Sequence, residues 1–153
     1  MFKRVGVFMI KLMIFILLLV PNYLFAKEYN IEMFFTTNNI SMDLPNNNKY
    51  IHVSAPAVWK DSSGDYGNLI CHGRIIVNQN IGTELDLFCS AKNQDNDKFW
   101  FRMIRNSKEM DAGIGISKYI DGTGKYKNFK GIECKYAAKL FEINSLVNQK
   151  CKI

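Results

Sequence analysis

The sequence predicts an all-β protein, an eight-stranded antiparallel barrel with a two-layer β-sandwich as the alternative. Three observations lead there. Runs of alternating apolar and polar residues recur along the chain, bounded by Gly, Asn, Asp and Ser. No long amphipathic helix interrupts them. One hairpin register brings two apolar faces and two cysteines into line at once.

The N-terminus is read separately from this fold. Lys3 and Arg4 are a short basic stretch, Leu12 to Val20 is an unbroken apolar run, and Pro21 and Asn22 break it. Leu24-Phe25-Ala26 then offers a small residue for cleavage. This is the layout of a secretory signal peptide over residues 1–26, leaving 27–153 as a single domain. An uncleaved anchor is the alternative, but Lys11 interrupts the longer apolar run from Val5, and a spanning helix needs about 20 residues. The segment holds three of the 20 basic residues and none of the 14 acidic ones, so the net charge falls from +6 to +3 without it. The basicity is therefore largely a targeting feature. No Lys/Arg block remains for nucleic acid. The expected location is exported, periplasmic or secreted, with no stable membrane span after cleavage.

Candidate strands follow at about 30–36, 49–55, 67–77, 84–91, 98–105, 111–118, 131–140 and 145–152. Residues 38–48, with Pro45 and three consecutive asparagines, read as a loop, and so do residues 61–65. The pair 67–77 and 84–91 is the most informative. Leu69, Cys71, Gly73, Ile75 and Val77 alternate with polar neighbours, as do Leu85, Leu87, Cys89 and Ala91. Folding the hairpin about Asn80 sets residue i opposite residue 160 − i. Ile75 then faces Leu85, Gly73 faces Leu87, and Cys71 faces Cys89. Opposed Cβ atoms of antiparallel strands lie about 4.5–5.5 Å apart, and closer at non-hydrogen-bonded pairs. That is near the span a disulfide bridges. The expectation is Cys71–Cys89, with Cys134–Cys151 by elimination. Four cysteines in an exported chain fit two disulfides better than a metal site, since no pair has C-x2-C spacing.

Further along, Phe99, Phe101 and Met103 share one face against Lys98 and Arg102. Ile114, Ile116 and Ile120 share a face opposite Gly113 and Gly115. Ile132, Cys134, Tyr136, Ala138 and Leu140 oppose Glu133, Lys135 and Lys139. Strands with one apolar and one polar face suit a closed barrel or a sandwich.

Gly122-Thr123-Gly124-Lys125-Tyr126, followed by Phe129-Lys130-Gly131, is the most distinctive local motif. It fails as a phosphate loop, because Tyr119 stands where the first glycine belongs and Tyr126 where the hydroxyl ligand belongs. It reads instead as a glycine-dependent corner between strands, with Gly122 and Gly124 supplying positive φ and Gly131 a close backbone approach. The stretch resembles the G-G-T-G-K-Y-x-G-[IV]-x-G segment of exported proteins similar to the allene oxide cyclase and dirigent barrels. Cys71-His72-Gly73 and Asp95-Asn96-Asp97 sit where that group carries a cysteine–glycine strand and an acidic turn. The departures are Asp121 and Asn128 in place of glycines, and an acidic turn without its glycine. The resemblance covers about residues 67–138. It implies an eight-stranded barrel with a central cavity, usually for small apolar ligands. It carries over no catalytic residue.

Asp95 and Asp97 are hard oxygen donors of the kind calcium takes, but no bidentate glutamate follows at the EF-hand distance, and the preferred reading is a solvated hairpin turn. His72 is expected on the outer face, opposite Phe88 with Asp86 and Ser90 diagonal, and His52 has no visible partner. Ser54 and Ser90 lack an elbow motif or a nearby base. Asn39-Ile40-Ser41 is a glycosylation sequon. No cofactor and no metal site is expected. The leading functional expectation is binding of a small apolar molecule, or of an envelope or extracellular component. The inner-face residues Phe99, Phe101, Met103, Ile116 and Tyr136 are the candidate ligand contacts. An isomerase or cyclase working in the cavity is one alternative. The other is a solid barrel that meets a protein through an outer face including Ile70, Phe88 or Trp100.

Overall fold

The computed structural model describes residues 28–153, so the reading of residues 1–26 as a signal peptide lies outside the described residues. Nine strands form one antiparallel sheet: β1 (Glu28–Thr36), β2 (Asn38–Leu44), β3 (Asn48–Asp61), β4 (Tyr66–Asn78), β5 (Gly82–Asn93), β6 (Lys98–Ser107), β7 (Ala112–Gly122), β8 (Glu133–Phe141) and β9 (Asn144–Lys152). Their spatial order is β1-β9-β8-β7-β6-β5-β4-β3-β2, and β1 also pairs with β3. That extra pairing closes eight strands into a barrel, with β2 added beyond it. Among the described residues no helix is long and apolar enough to cross a membrane.

The expected hairpin register holds. Ile75 pairs with Leu85, Gly73 with Leu87 and Cys71 with Cys89. The disulfides are Cys71–Cys89 and Cys134–Cys151, with Cα separations of 4.1 and 4.4 Å. These are the spacings of non-hydrogen-bonded antiparallel pairs, where side chains approach most closely.

The segment read as a loop is corrected by β2. Asn38–Leu44 continues β1 along β3 in one register, from Phe35 opposite Ala57 to Leu44 opposite Asn48. Asn46 and Asn47 turn the chain with φ of 62° and 57°, a left-handed conformation asparagine tolerates. Ladder hydrogen bonds to β3, rather than burial, make this a strand. It extends past the rim, where Ile40 and Met42 face outward and Asn39, Ser41 and Asp43 are exposed on the other side.

The two barrel ends differ. At one end the 3-10 turn Gly124–Phe129 folds between β7 and β8, and Tyr126 is buried. Tyr126 and Phe129 join Tyr29, Trp59, Phe99, Phe101 and Tyr119 in an aromatic plug. Phe99 and Tyr126 centroids are 4.7 Å apart, and Tyr29 meets Phe129 edge-on at 5.0 Å. Edge-on and tilted pairs set the positive edge of one ring against the negative face of another. Gln149, also buried here, donates to the Tyr119 hydroxyl at 3.1 Å and accepts from Ser117.

The GTGKY motif locks this plug. Tyr126 OH donates to Asp65 Oδ2 at 3.0 Å, and Lys125 Nζ reaches Asp65 Oδ1 at 2.8 Å and Asp95 Oδ2 at 3.0 Å. Gln94 adds a further donor to Asp65 at 2.6 Å. Burial works to raise the Asp65 carboxyl, but the donors from Lys125, Gln94 and Tyr126 outweigh it and hold the group below its usual range. The Asn93 side chain accepts from the backbone N–H of Asp95 and Asp97, an Asx turn that accounts for the acidic loop. The glycine roles are redistributed. Gly124 and Gly131 have positive φ, at 49° and 85°, whereas Gly122 lies where a Cβ would strike the Tyr126 backbone.

Candidate functional site

At the opposite end the barrel is incompletely filled. The β1–β9 ladder stops at Thr36 opposite Asn144, and Thr37 then donates through its N–H to the carbonyl of Ile143 at 2.7 Å. Beyond that point β2 is an edge strand of the sheet. A cavity of about 60 Å³ opens here. Its apolar lining includes Val53, Ile75, Leu85, Leu87, Met103 and Val147, and Thr37, Asn39 and Ser145 supply polar atoms near the β1–β9 seam.

Two polar side chains reach the cavity from strands on either side of β7. Arg105 on β6 is 2% exposed, and so is Tyr136 on β8. Both line the cavity. Arg105 Nη2 donates to the carbonyl of Met110 at 2.8 Å, which ties the β6–β7 loop to the barrel wall. Its Nε is buried with no partner, and so is the Tyr136 hydroxyl. No carboxylate among the described residues pairs with Arg105. Burial pushes the Tyr136 hydroxyl up to about 12, with the Arg105 charge pulling the other way. The hydroxyl therefore keeps its proton at neutral pH and is a donor.

The glycines of β7 make this arrangement fit. Gly115 pairs with Tyr136, and a Cβ there would collide with the Tyr136 ring and the carbonyl oxygen of Ile104. A Cβ on Gly113 would lie 2.9 Å from Arg105 Cδ. The inner face of β7 is bare at these two positions, and the Arg105 and Tyr136 side chains lie over the bare backbone from either side.

Of the candidate ligand contacts, Met103 and Tyr136 line the cavity. Phe99 and Phe101 face inward but belong to the aromatic plug, each 1% exposed. Ile116 is corrected: it is 51% exposed on the outer face beside Ile104. The isoleucines of β7 look like a core face by hydropathy. The inner positions are instead Gly113, Gly115, Ser117 and Tyr119, because Arg105 and Tyr136 need the space. Arg105 was missed because it is charged. The signal for it was phase, since it continues the inward series Phe99, Phe101, Met103 and faces a strand with two glycines.

The remaining candidates stay on the outside. His72 is exposed opposite Phe88, and His52 is exposed on β3. Ile70 and Phe88 are 40% and 55% exposed, and Trp100 is half-buried. Arg102 lies over the Phe88 ring at 5.4 Å while its Nε and Nη2 donate to the two Asp86 carboxylate oxygens, each at 2.7 Å. No protein-family model matches the chain, and no curated protein matches it either.

Proposed function

We propose that this is an exported, periplasmic or secreted, barrel protein whose open end holds a small, largely apolar molecule. The carrying observation is the unequal filling of the barrel: aromatic side chains pack one end, and an apolar-lined cavity of about 60 Å³ occupies the other. Sites for small molecules are concave and mostly apolar, with a few placed polar groups. Arg105, Tyr136 and Ser145 are such groups here. Two disulfides fit a compartment outside the reducing cytoplasm, in keeping with the signal-peptide reading of residues 1–26. Kinship with the allene oxide cyclase and dirigent barrels is part of the same proposal, supported by the eight-stranded closure and the GTGKY corner.

The isomerase or cyclase reading draws on the same cavity. Tyr136 would be its proton-bearing group, and Arg105 its positive charge.

The test is NMR of the disulfide-bonded protein under xenon pressure, with the methyl groups of Val53, Ile75, Leu85, Leu87 and Val147 observed. Saturable shifts at these methyls are expected. Their absence would overturn the ligand reading and favour a solid barrel that works through its outer face.

A further inference from the structure

The cavity holds a cationic group that no carboxylate among the described residues neutralises. Guanidinium stays charged at any ordinary pH, and burying an unpaired ion opposes folding even after relaxation. Arg105 is 98% buried, with a single backbone carbonyl as its partner and Nε open. Tyr136 places a second unused donor in the same cavity. Four buried side-chain polar atoms lack a partner among the described residues, and two of them belong to residues that line this cavity. Both are donors. Gly113 and Gly115 clear the wall between them.

We infer that the open end of the barrel is a site for a short organic carboxylate, bound by the Arg105 guanidinium and the Tyr136 hydroxyl, whose Nε–H and O–H lie covered against the β7 glycines in the unliganded barrel and turn toward the ligand. The negative charge offsets the buried guanidinium. Charge-assisted hydrogen bonds of this kind are about twice as strong as neutral ones. The apolar remainder of the ligand packs on Val53, Ile75, Leu85 and Leu87, which an inorganic anion would leave unused. Size sets the upper bound. A water needs about 10–15 Å³ by a comparable measure, so the cavity takes about four to six heavy atoms. Butyrate is of that size. The inference rests on the ligand reading above and adds the charge of the ligand.

The experiment titrates the full chain, with both disulfides formed, with butyrate, butyramide and inorganic phosphate. Calorimetry gives affinity, and the Arg105 Nε–H resonance gives location. Butyrate is expected to move that resonance downfield and to bind about tenfold or more tightly than its neutral amide. Arg105→Gln should abolish the preference. Tyr136→Phe, which keeps the ring over Gly115, should weaken butyrate about tenfold and butyramide by less, because a neutral carbonyl accepts a weaker hydrogen bond than a carboxylate. It serves alone if Arg105→Gln does not fold. Equal binding of butyrate and butyramide would overturn the carboxylate inference and leave the apolar site standing. Phosphate binding as tightly as butyrate would overturn the organic part. Silence from all three, with the xenon shifts present, would overturn this inference alone. Silence in both experiments would overturn both readings.

Discussion

Two buried tyrosines give the sharpest test of the division between the barrel ends, because the same chemical change should have opposite signs. Tyr126 donates to Asp65 Oδ2 at 3.0 Å, whereas the Tyr136 hydroxyl has no partner among the described residues. Removing a hydrogen bond to a charged acceptor costs about 1.5–3 kcal/mol, so Tyr126→Phe should destabilise by about 2 kcal/mol. Leaving a hydroxyl buried and unpaired costs about 1–3 kcal/mol, so Tyr136→Phe should stabilise the unliganded protein by about 1 kcal/mol. Both variants keep the ring, so packing against Phe99 in one case and Gly115 in the other is retained. Urea unfolding at neutral pH with disulfides intact is the assay. A slope of about 1.5 kcal/mol/M would place the two midpoints about 2 M apart. Destabilisation by Tyr136→Phe of the same size as by Tyr126→Phe would refute the reasoning, since the cavity hydroxyl would then be a structural donor.

Asp65 supplies a pH prediction. Its folded pKa lies below the unfolded value near 4, so its contribution is complete above about pH 4 and is lost as pH falls through the folded value. Asp65→Asn should flatten the acid limb of stability against pH; an unchanged limb would contradict the latch. Each disulfide closes a short segment, with sequence separations of 18 and 17, so replacing either pair by alanine should cost about 3 kcal/mol in urea unfolding. A loss below about 1 kcal/mol would contradict the estimate from loop closure. Gly115→Ala should cost about 2 kcal/mol and displace the Tyr136 ring, because the Ile104 carbonyl cannot move aside. A variant of wild-type stability would mean that the inner wall of β7 is not tightly covered.

Most of the barrel was legible because its strands bury one face and wet the other. The register of β4 and β5 was legible to the residue, since only one alignment matches both apolar faces and opposes Cys71 to Cys89. Legibility failed where that rule stops applying. Asn38–Leu44 is wet on both sides, so its strand character comes from pairing with β3 and leaves no core face in the sequence. β7 inverts the rule, with glycines inside and isoleucines outside, and this misplaced Ile116. The site was half legible. Met103 and Tyr136 follow from inward phase, while Arg105 has the same phase and the wrong chemistry for a core. A charged residue on an inward phase beside paired glycines is the pattern that marks it.

The same geometry bears on why the proposed site would lie at the end where β2 leaves the barrel. A buried guanidinium and an unpaired hydroxyl both oppose folding, so they require stability from elsewhere. The aromatic plug, the Asp65 latch and the Cys134–Cys151 bond supply it at the far end, and Cys71–Cys89 holds the wall between. None of these lines the cavity. Arg105 is tied to the rim through the Met110 carbonyl of the β6–β7 loop, and the β1–β9 ladder ends at Thr36 at the same end of the barrel. Strain placed at the cavity therefore loads a loop and an open seam, the parts of a barrel that move most cheaply. Apolar residues of similar volume in place of Arg105 and Tyr136 would relieve that strain. They would also remove both donors on which the proposed site depends, a trade between stability and the proposed binding.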